Sequence, residues 1–437
     1  MKSPARRKRV AGVAAGGVLL LVTLGLVAPT PYPLDGYDHT GIRRLRAYQM
    51  MLDGRMPGTV PIRPGARLSR NQIHLRMDDL GRNFDVGPNT PTDSALQAGI
   101  ERIVGRRHPS YRVAILDITD PAAPRYAAVR ADQGYIPGSV GKLLVMSGLF
   151  DQLRRLYPDD VEAREELLRN TRVVAGDFAM PNSHQVPVVA DDWSRVTHRA
   201  IRPDDVFTLW EWVDHMVSPS SNAAGSVVWR EAMLMDAFGR AYPPTPEQAR
   251  DFFRSTPRAE LTERSIRVIE APLIAAGIDP ELLRIRTMFT RGASGVVPGR
   301  GSHSTPRALV RWMLRMEQGR LVDEWSSLEM KRLMYYTRRR YRYAFSPALD
   351  QAAVYFKSGS LYRCRPEEGF ACGQYMGNVE NLMHSVAIVE SPAGREHARV
   401  YLISMMSNVL KVNSAGEHSE IATQIERLVA SHHPEIP

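Results

Sequence analysis

Residues 137–157 read PGSVGKLLVMSGLFDQLRRLY, and this stretch decides how the fold is interpreted. Its apolar residues recur at helical spacing and predict a buried helix: Leu143, Leu144, Met146, Leu149 and Phe150. Ser139 and Lys142 form an S-x-x-K motif at the head of this helix. Residues three apart share a helix face, so the Lys142 amine can reach the Ser139 hydroxyl. A serine needs a base to attack an amide, and a desolvated lysine among other cations can lose its proton near neutral pH.

A second motif, Ser220-Ser221-Asn222, follows the helix-like segment TLWEWVDHMVS. This S-x-N pattern offers a hydroxyl that can relay a proton to a leaving nitrogen, and an amide that can hold a substrate carbonyl. Ser69-Arg70-Asn71 matches the pattern equally well, but it precedes the nucleophile in a segment without periodic structure. We therefore assign the motif to Ser220 and Asn222.

A third motif, Lys357-Ser358-Gly359, lies in the strand-like segment AAVYFKSG. Lys357 offers a fixed positive charge for a substrate carboxylate, Ser358 offers a hydroxyl, and Gly359 lets a substrate backbone approach closely. The backbone N–H of Ser360 would pair with that of Ser139 as an oxyanion hole, in which each donor is typically worth ~10²–10³ in rate. Each motif arises by chance in many chains, but together they are specific, because each lies on the element that the chemistry requires.

The remaining sequence predicts one α+β domain over residues 93–437. A capping cluster at 92–94 begins an amphipathic helix, the stretch from 204 to about 333 is mostly helical, and a further amphipathic helix closes the chain. Alternating apolar residues predict strands at 111–119, 125–131, 352–359, 385–391 and 398–406. This order of elements predicts an antiparallel β-sheet flanked by helices, with a helical subdomain.

From about Tyr111 to His432 the chain resembles the catalytic domain of class A β-lactamases, in the superfamily of β-lactamases and penicillin-binding D,D-peptidases. Residues 204–225 are similar to the family's helix leading into its S-D-N loop, and residues 304–322 to its helix begun by threonine and proline. The resemblance implies no cofactor. It implies a nucleophile, a base or proton shuttle, and a proton relay, which are Ser139, Lys142 and Ser220. The substrate ligands that it implies are Asn222, Lys357, Ser358, Gly359 and Ser360.

Two departures from the family pattern matter. The middle residue of S-D-N is Ser221, which removes a structural carboxylate. The loop Thr290–Pro306 contains no Glu or Asp, although class A enzymes place there a glutamate that activates the deacylating water. The nearest upstream acid, Glu281, is assigned to the solvent face of a helix. Residues 241–280 also look like an insertion that adds a helical lobe near the site.

The N-terminal region predicts export. Five basic residues precede an uncharged run of nineteen, Val10–Ala28, which is nearly long enough to span a bilayer. Pro29 disfavours cleavage, so we interpret residues 1–28 as a signal-anchor with the catalytic domain in the periplasm, attached to the inner membrane. A cleaved signal peptide is the alternative. Residues 29–92 carry eight prolines and no sustained period, and they predict a linker or tether.

The net charge of +10 does not indicate nucleic-acid binding, because half of it precedes residue 10 and the rest is dispersed. One basic cluster, TRRRYRY at 337–343, interleaves Arg338, Arg339, Arg340 and Arg342 with tyrosines. A solvated face is the preferred interpretation, and binding of anionic cell-wall or lipid phosphates is the alternative.

The chain has two cysteines, Cys364 and Cys372, with seven residues between them. In an exported protein this spacing predicts a local disulfide. There is no second Cys or His cluster with metal-ligand spacing, so a zinc hydrolase is not expected.

The leading hypothesis is acyl transfer from a β-lactam or a D-alanyl peptide, such as a peptidoglycan stem peptide, to Ser139. A non-catalytic or single-turnover penicillin-binding or cell-wall sensor domain is an alternative, which the loop without glutamate keeps open. A serine-dependent glutaminase is a further alternative, since that class shares the fold and a similar motif set. The sequence leaves the oligomeric state open.

Overall fold

A computed structural model describes residues 34–60 and 62–436. The predicted membrane anchor at residues 1–28 lies outside this range. Within the described residues, no helix is both long and apolar enough to cross a membrane.

The helices of the described chain are α1 (Tyr37–Thr40), α2 (Arg43–Leu52), α3 (Ser94–Val104), α4 (Lys142–Leu156), α5 (Val161–Asn170), α6 (Leu209–Val217), α7 (Asn222–Phe238), α8 (Pro246–Ser255), α9 (Arg258–Ala275), α10 (Arg291–Val296), α11 (Pro306–Glu317), α12 (Glu324–Tyr335) and α13 (Ala415–His432). The strands are β1 (Arg112–Asp117), β2 (Arg125–Val129), β3 (Arg172–Val174), β4 (Gln185–Val189), β5 (Val196–Ala200), β6 (Val206–Thr208), β7 (Leu283–Arg284), β8 (His303–Ser304), β9 (Ala353–Arg363), β10 (Glu380–Ser391) and β11 (Arg399–Asn408).

Five strands form a central antiparallel sheet in the order β2-β1-β11-β10-β9. The first and last parts of the domain therefore meet in the middle of the sheet, where β1 pairs with β11 over residues 112–117 and 401–406. Every strand predicted from alternation is present, and the predicted α+β class is confirmed. The strand β9, which carries Lys357-Ser358-Gly359, lies at one edge.

Both faces of the sheet are buried, so the molecule has three layers. Successive side chains of a strand point to opposite faces. Val113 and Ile115 of β1 accordingly pack with α3 and α13, while Ala114 and Leu116 pack with the helical side. The helix α4 lies within that helical side, and its first turn carries Lys142, which is fully buried. This position takes the lysine amine out of water.

Residues 241–280, predicted to be helical, contain α8 and α9. All of α8 is at least partly exposed, whereas α9 buries one face that includes Val268 and Ile269. At Gly148 of α4 an added Cβ would lie 2.7 Å from the carbonyl oxygen of Val268, so the absence of a side chain there allows α9 to pack closely on α4.

The predicted disulfide between Cys364 and Cys372 is present, with the two Cα atoms 6.3 Å apart. It closes a short loop directly after β9. The same region supplies Gln374 and Tyr375 to the cavity described below.

The structure differs from the linker predicted over residues 29–92. Residues 34–92 pack against the domain, and their buried side chains include Leu45, Ile73 and Met77. Arg44 forms a buried ion pair with Asp214 of α6, with the two atom pairs 2.6 Å apart. The sequence does not reveal this packing because, apart from α2, the segment is held by ion pairs and isolated apolar side chains, which leave no sustained period.

A second ion pair fixes this segment, and its removal tests whether the packing stabilises the fold. Arg70 donates to both carboxylate oxygens of Glu329 in α12, at 2.8 and 2.5 Å, and both side chains are buried. Arg70→Met should lower the free energy of unfolding by about 3 kcal/mol, near the lower end for a broken buried pair, because Arg332 still contacts Glu329. Denaturant unfolding measures the loss. The matched control Arg254→Met removes the exposed Arg254–Asp251 pair and should change stability by less than about 0.5 kcal/mol. If the two variants change the free energy of unfolding equally, the ion pair of Arg70 contributes no more to stability than an exposed pair.

Candidate active site

The three motifs meet at the head of α4. Lys142 donates from Nζ to the Ser139 Oγ at 2.8 Å, to the Ser220 carbonyl oxygen at 2.9 Å and to the Asn222 Oδ1 at 2.7 Å. Ser220 in turn accepts at Oγ from the Lys357 Nζ at 2.7 Å. Five residues therefore form one connected hydrogen-bonded cluster, in which the backbone carbonyl of Ser220 is one of the links: Ser139, Lys142, Ser220, Asn222 and Lys357.

The contacts of Lys142 orient its amine toward Ser139. An ammonium group has three donors, and all three would be used here. A neutral amine keeps two N–H bonds, and the Ser220 carbonyl and the Asn222 Oδ1 can only accept. The lone pair is then directed at the one partner that can also donate, the Ser139 hydroxyl. The geometry thus suits removal of the Ser139 proton.

Electrostatics favour the neutral form of this amine. Burial is the largest cause that holds the pKa of Lys142 well below its usual value, and the positive charges of Lys357 and Arg339 lower it further. The Phe289 ring also lies 4.8 Å from Nζ and contributes to the apolar surroundings. Lys357 is affected in the same way, since burial, Arg339 and Arg342 lower its pKa.

Ser220 has a strained backbone within a tightly held turn. Its φ of 62° lies in the left-handed region, which is unusual for a residue other than glycine. The turn is fixed because the Ser218 N–H donates to the Asp214 carbonyl at 2.8 Å and the Ser221 N–H to the His215 carbonyl at 2.9 Å. Ser221 caps α7 by accepting from the Ala224 N–H at 3.3 Å. The middle position of this motif therefore has a structural role even without a carboxylate.

The K-S-G strand packs directly on the turn that carries the nucleophile. An added Cβ at Gly359 would lie 2.4 Å from the Pro137 carbonyl oxygen and 3.0 Å from the Val140 nitrogen. The sequence suggested that Gly359 admits a substrate backbone, but here the glycine admits the chain's own turn. Ser358 donates from Oγ to the Tyr341 hydroxyl at 3.1 Å.

An open cavity of about 830 Å³ lies over this cluster. Ser139, Asn222 and Ser360 line it, so three predicted residues face the same space. Cationic, aromatic and imidazole side chains that the sequence did not single out for the site also contribute: Arg300, Arg339, Phe289, Tyr375 and His184. Among the described residues that line the cavity, none carries a carboxylate.

The interpretation of the arginine cluster at 337–343 as a solvated face is wrong. Arg340 and Arg342 are each 2% exposed, and Arg342 donates to the Gly359 carbonyl at 2.6 Å. Arg342 also lies over the rings of Tyr341 and Tyr375, at 4.8 and 5.2 Å from their centroids. The interleaved tyrosines were the signal that could have revealed this packing.

His184 could not be found from the sequence, because no motif surrounds it. Burial, followed by the positive charges of Lys142, Arg339 and Lys357, lowers its pKa to about 3. The imidazole therefore stays neutral at physiological pH.

Two acids upstream of the loop Thr290–Pro306 lie outside the lining of the cavity. Glu281 is in a turn before β7, not on a helix, and its side chain is 69% exposed. It binds Arg284 at 2.8 Å and does not line the cavity. Glu270, from the predicted helical lobe, is bound by Arg286 at 2.8 Å. Within residues 34–60 and 62–436, no three His, Cys, Asp or Glu side chains are grouped as metal ligands would be.

Comparisons with known proteins give the family and the fold. The model of the beta-lactamase enzyme family matches residues 95–432. Among solved structures, the TLA-3 extended-spectrum beta-lactamase is 14% identical with a TM-score of 0.51, over 78% of this chain and 98% of that chain. A beta-lactamase from Sphaerobacter thermophilus is 13% identical with a TM-score of 0.48, over 79% and 98%. A PBP-A mutant in acyl-enzyme complex with penicillin G is 15% identical with a TM-score of 0.48, over 80% and 100%. No curated protein matches the sequence. At 14% identity the likeness to the TLA-3 enzyme shows the fold alone.

The lowered pKa of Lys142 predicts how the reactivity of Ser139 depends on pH. Labelling of Ser139 by a serine-directed fluorophosphonate should rise with pH and reach its plateau well below 10.5, because the amine must lose its proton first. Arg339→Gln removes one positive charge, so the pKa of Lys142 rises and the midpoint of the profile moves to higher pH. Arg338→Gln is the control, because Arg338 is not among the charges that lower the pKa of Lys142. A midpoint near 10.5 in the unchanged protein would contradict a neutral Lys142.

Proposed function

Because this chain belongs to the beta-lactamase enzyme family, we propose that it is a serine hydrolase that forms an acyl-enzyme through Ser139. The observation that carries the proposal is the hydrogen bond of 2.8 Å between Lys142 and Ser139, together with the two carbonyl acceptors that orient the amine.

In acylation, the Ser139 Oγ attacks the carbonyl carbon of an amide, and its proton passes to the Lys142 Nζ. A C–O bond forms, the C–N bond breaks, and the leaving nitrogen takes a proton from the Ser220 hydroxyl. Lys142 contacts the backbone carbonyl oxygen of Ser220, whereas the Lys357 Nζ donates to the Ser220 Oγ at 2.7 Å. Lys357 can therefore return a proton to the Ser220 Oγ, while the proton of Ser139 stays on Lys142, so that the number of protons on the two lysines is unchanged.

The negative charge that develops on the carbonyl oxygen needs donors. We assign this role to the backbone N–H groups of Ser139 and Ser360, whose residues line the same wall of the cavity. Their segments are in close contact, since an added Cβ at Gly138 would lie 3.1 Å from the Ser360 nitrogen.

The charges around the cavity support an anionic substrate. Lys357, Arg339 and Arg342 are close enough for each arginine to lower the pKa of the lysine, and no acid balances them in the lining of the cavity. A substrate carboxylate next to Lys357 and Ser358 would supply the missing negative charge. A β-lactam and a D-alanyl peptide, such as a peptidoglycan stem peptide, both carry a carboxylate beside the bond to be broken. We propose these two as the substrate class.

Deacylation is the step for which the cavity is poorly equipped. A general base for the attacking water is typically worth ~10²–10⁴ in rate, and no Asp or Glu among the described residues lines the cavity. Lys142 is left to activate the water as well. We therefore propose that Ser139 is acylated rapidly by a β-lactam and that the acyl group is released slowly. These rates fit a penicillin-binding protein or a D,D-peptidase better than an efficient β-lactamase. The same observation favours a single-turnover penicillin-binding domain as the second candidate.

The proposed location is the periplasmic side of the inner membrane. Its support is the basic, then apolar, sequence of residues 1–28 and the adjacent Pro29. Peptidoglycan would be accessible to the catalytic domain in this position.

Time-resolved mass spectrometry of the intact protein with benzylpenicillin tests acylation. We expect a mass increase of one penicillin that persists after the free compound is removed. Ser139→Ala should show no adduct while it keeps the circular dichroism of the unchanged protein. If no adduct forms on a folded, unchanged protein, the proposed substrate class is wrong.

Steady-state hydrolysis of a chromogenic cephalosporin tests deacylation. We expect slow turnover after a single burst equal to the amount of enzyme, because the cavity has no carboxylate base. Turnover of tens per second would mean that another group activates the water. Release of D-alanine from a stem peptide distinguishes the peptidase from the single-turnover alternative.

A further inference from the structure

Residues 34–92 precede the range 95–432 that matches the family model, yet they contact the elements that support the active site. The contact of interest is made by Arg44 in α2. Its guanidinium binds both carboxylate oxygens of Asp214 at 2.6 Å and donates to the Tyr336 carbonyl at 2.7 Å. The side chains of Arg44 and Asp214 are each 1% exposed.

One partner of Arg44 leads into the turn that carries Ser220. Asp214 is in α6, and its carbonyl oxygen accepts the N–H of Ser218. The next carbonyl, that of His215, accepts the N–H of Ser221. These bonds fix the backbone on both sides of Ser220, whose left-handed conformation persists only if its surroundings impose it.

The other partner of Arg44 leads into the turn that carries Arg339. Tyr336 directly follows α12, and Thr337 donates from Oγ1 to the Phe356 carbonyl at 2.8 Å, next to Lys357. The two turns also bind each other, because Ser218 accepts at Oγ from the N–H of Arg338 at 2.9 Å. Arg44 thus bridges two segments that supply the Ser139 cluster and the cavity.

We propose that Arg44 is a positioning residue for the Ser139 site. Arg44 holds the turn at 218–221 and the turn at 337–339 against each other. The segment 34–92 is therefore needed for the correct geometry of the site. Arg44 acts through Asp214 and Tyr336 and does not contact the substrate. The measurement of the acylation rate rests on the proposed function, whereas the measurement of amide hydrogen exchange does not.

The test removes the bridge without leaving an unpaired buried charge. In the double variant Arg44→Met/Asp214→Asn the side chains keep a similar size, and no isolated carboxylate remains in the interior. The full-length protein is acylated with a fluorescent penicillin, and amide hydrogen exchange is measured at Ser221 and Arg338. We expect the acylation rate constant to fall by about 10²-fold, as for a catalytic group displaced by about 1 Å. We also expect faster exchange at both amides.

The matched control is Arg164→Met/Asp323→Asn. Arg164 is as deeply buried as Arg44 and binds Asp323 at 2.6 Å, but its hydrogen bonds go to the end of α4 and the start of α12. This control should lose stability without a change in acylation rate or in exchange at the two turns. Arg44→Lys should give an intermediate rate, since one ammonium group cannot reproduce the planar fork of the guanidinium.

The two readouts separate the possible failures. Unchanged exchange and an unchanged acylation rate in the Arg44 double variant would overturn the proposal, as would equal losses in the Arg164 control. If the unchanged protein is not acylated at all, the proposed function fails. The exchange at Ser221 and Arg338 then still decides whether Arg44 holds the two turns together.

Discussion

The site depends on one constraint, which is that the amine of Lys142 is kept out of water. An isolated ammonium group in such a place is strongly unfavourable, so the group loses its proton more readily. The two carbonyl acceptors at Ser220 and Asn222 then fix its remaining hydrogens. Several features of the fold serve this constraint. The helix α4 is buried and packs against α7 and α9, and Gly225 leaves space for the lysine side chain, because an added Cβ there would lie only 3.1 Å from the Lys142 Cε.

The site also brings several basic side chains close together. Burial lowers the pKa values of Lys142, Lys357 and Arg342, and the positive charge of Arg339 lowers each of them further. The groups that contact these cations are carbonyl oxygens, hydroxyls and ring faces. Arg342, for example, is held by the Gly359 carbonyl and by two tyrosine rings. Such partners leave the net charge unchanged. The cavity therefore has an electrostatic potential that favours an anion, and the charges that would bind the anion are already in position.

The sequence predicted the elements that follow local rules. The helical spacing of apolar residues after Ser139 predicted α4, and alternation predicted β9 with Lys357. The helix predicted before Ser220 placed the S-x-N turn at its end. It could not predict features that depend on distant partners. Arg44 and Arg70 resemble solvent-exposed residues of a linker until Asp214 and Glu329 are placed beside them, about 170 and 259 residues further on. The same holds for Arg342 and for His184, which belongs to the site because the segment just before β4 lines the cavity. The pairing of Cys364 with Cys372 was predictable because it is local.

The loop closed by this disulfide has a practical consequence for anyone who prepares the protein. Tyr375 follows the closed loop, lies against Arg342 and forms part of the cavity wall. In a reducing cytosol the two thiols would remain unlinked, and the chain from the end of β9 to Tyr375 would sample many more conformations. Material expressed there would present a less defined wall to its ligands than material folded under oxidising conditions. The choice of expression compartment therefore determines which form of the binding site enters an assay.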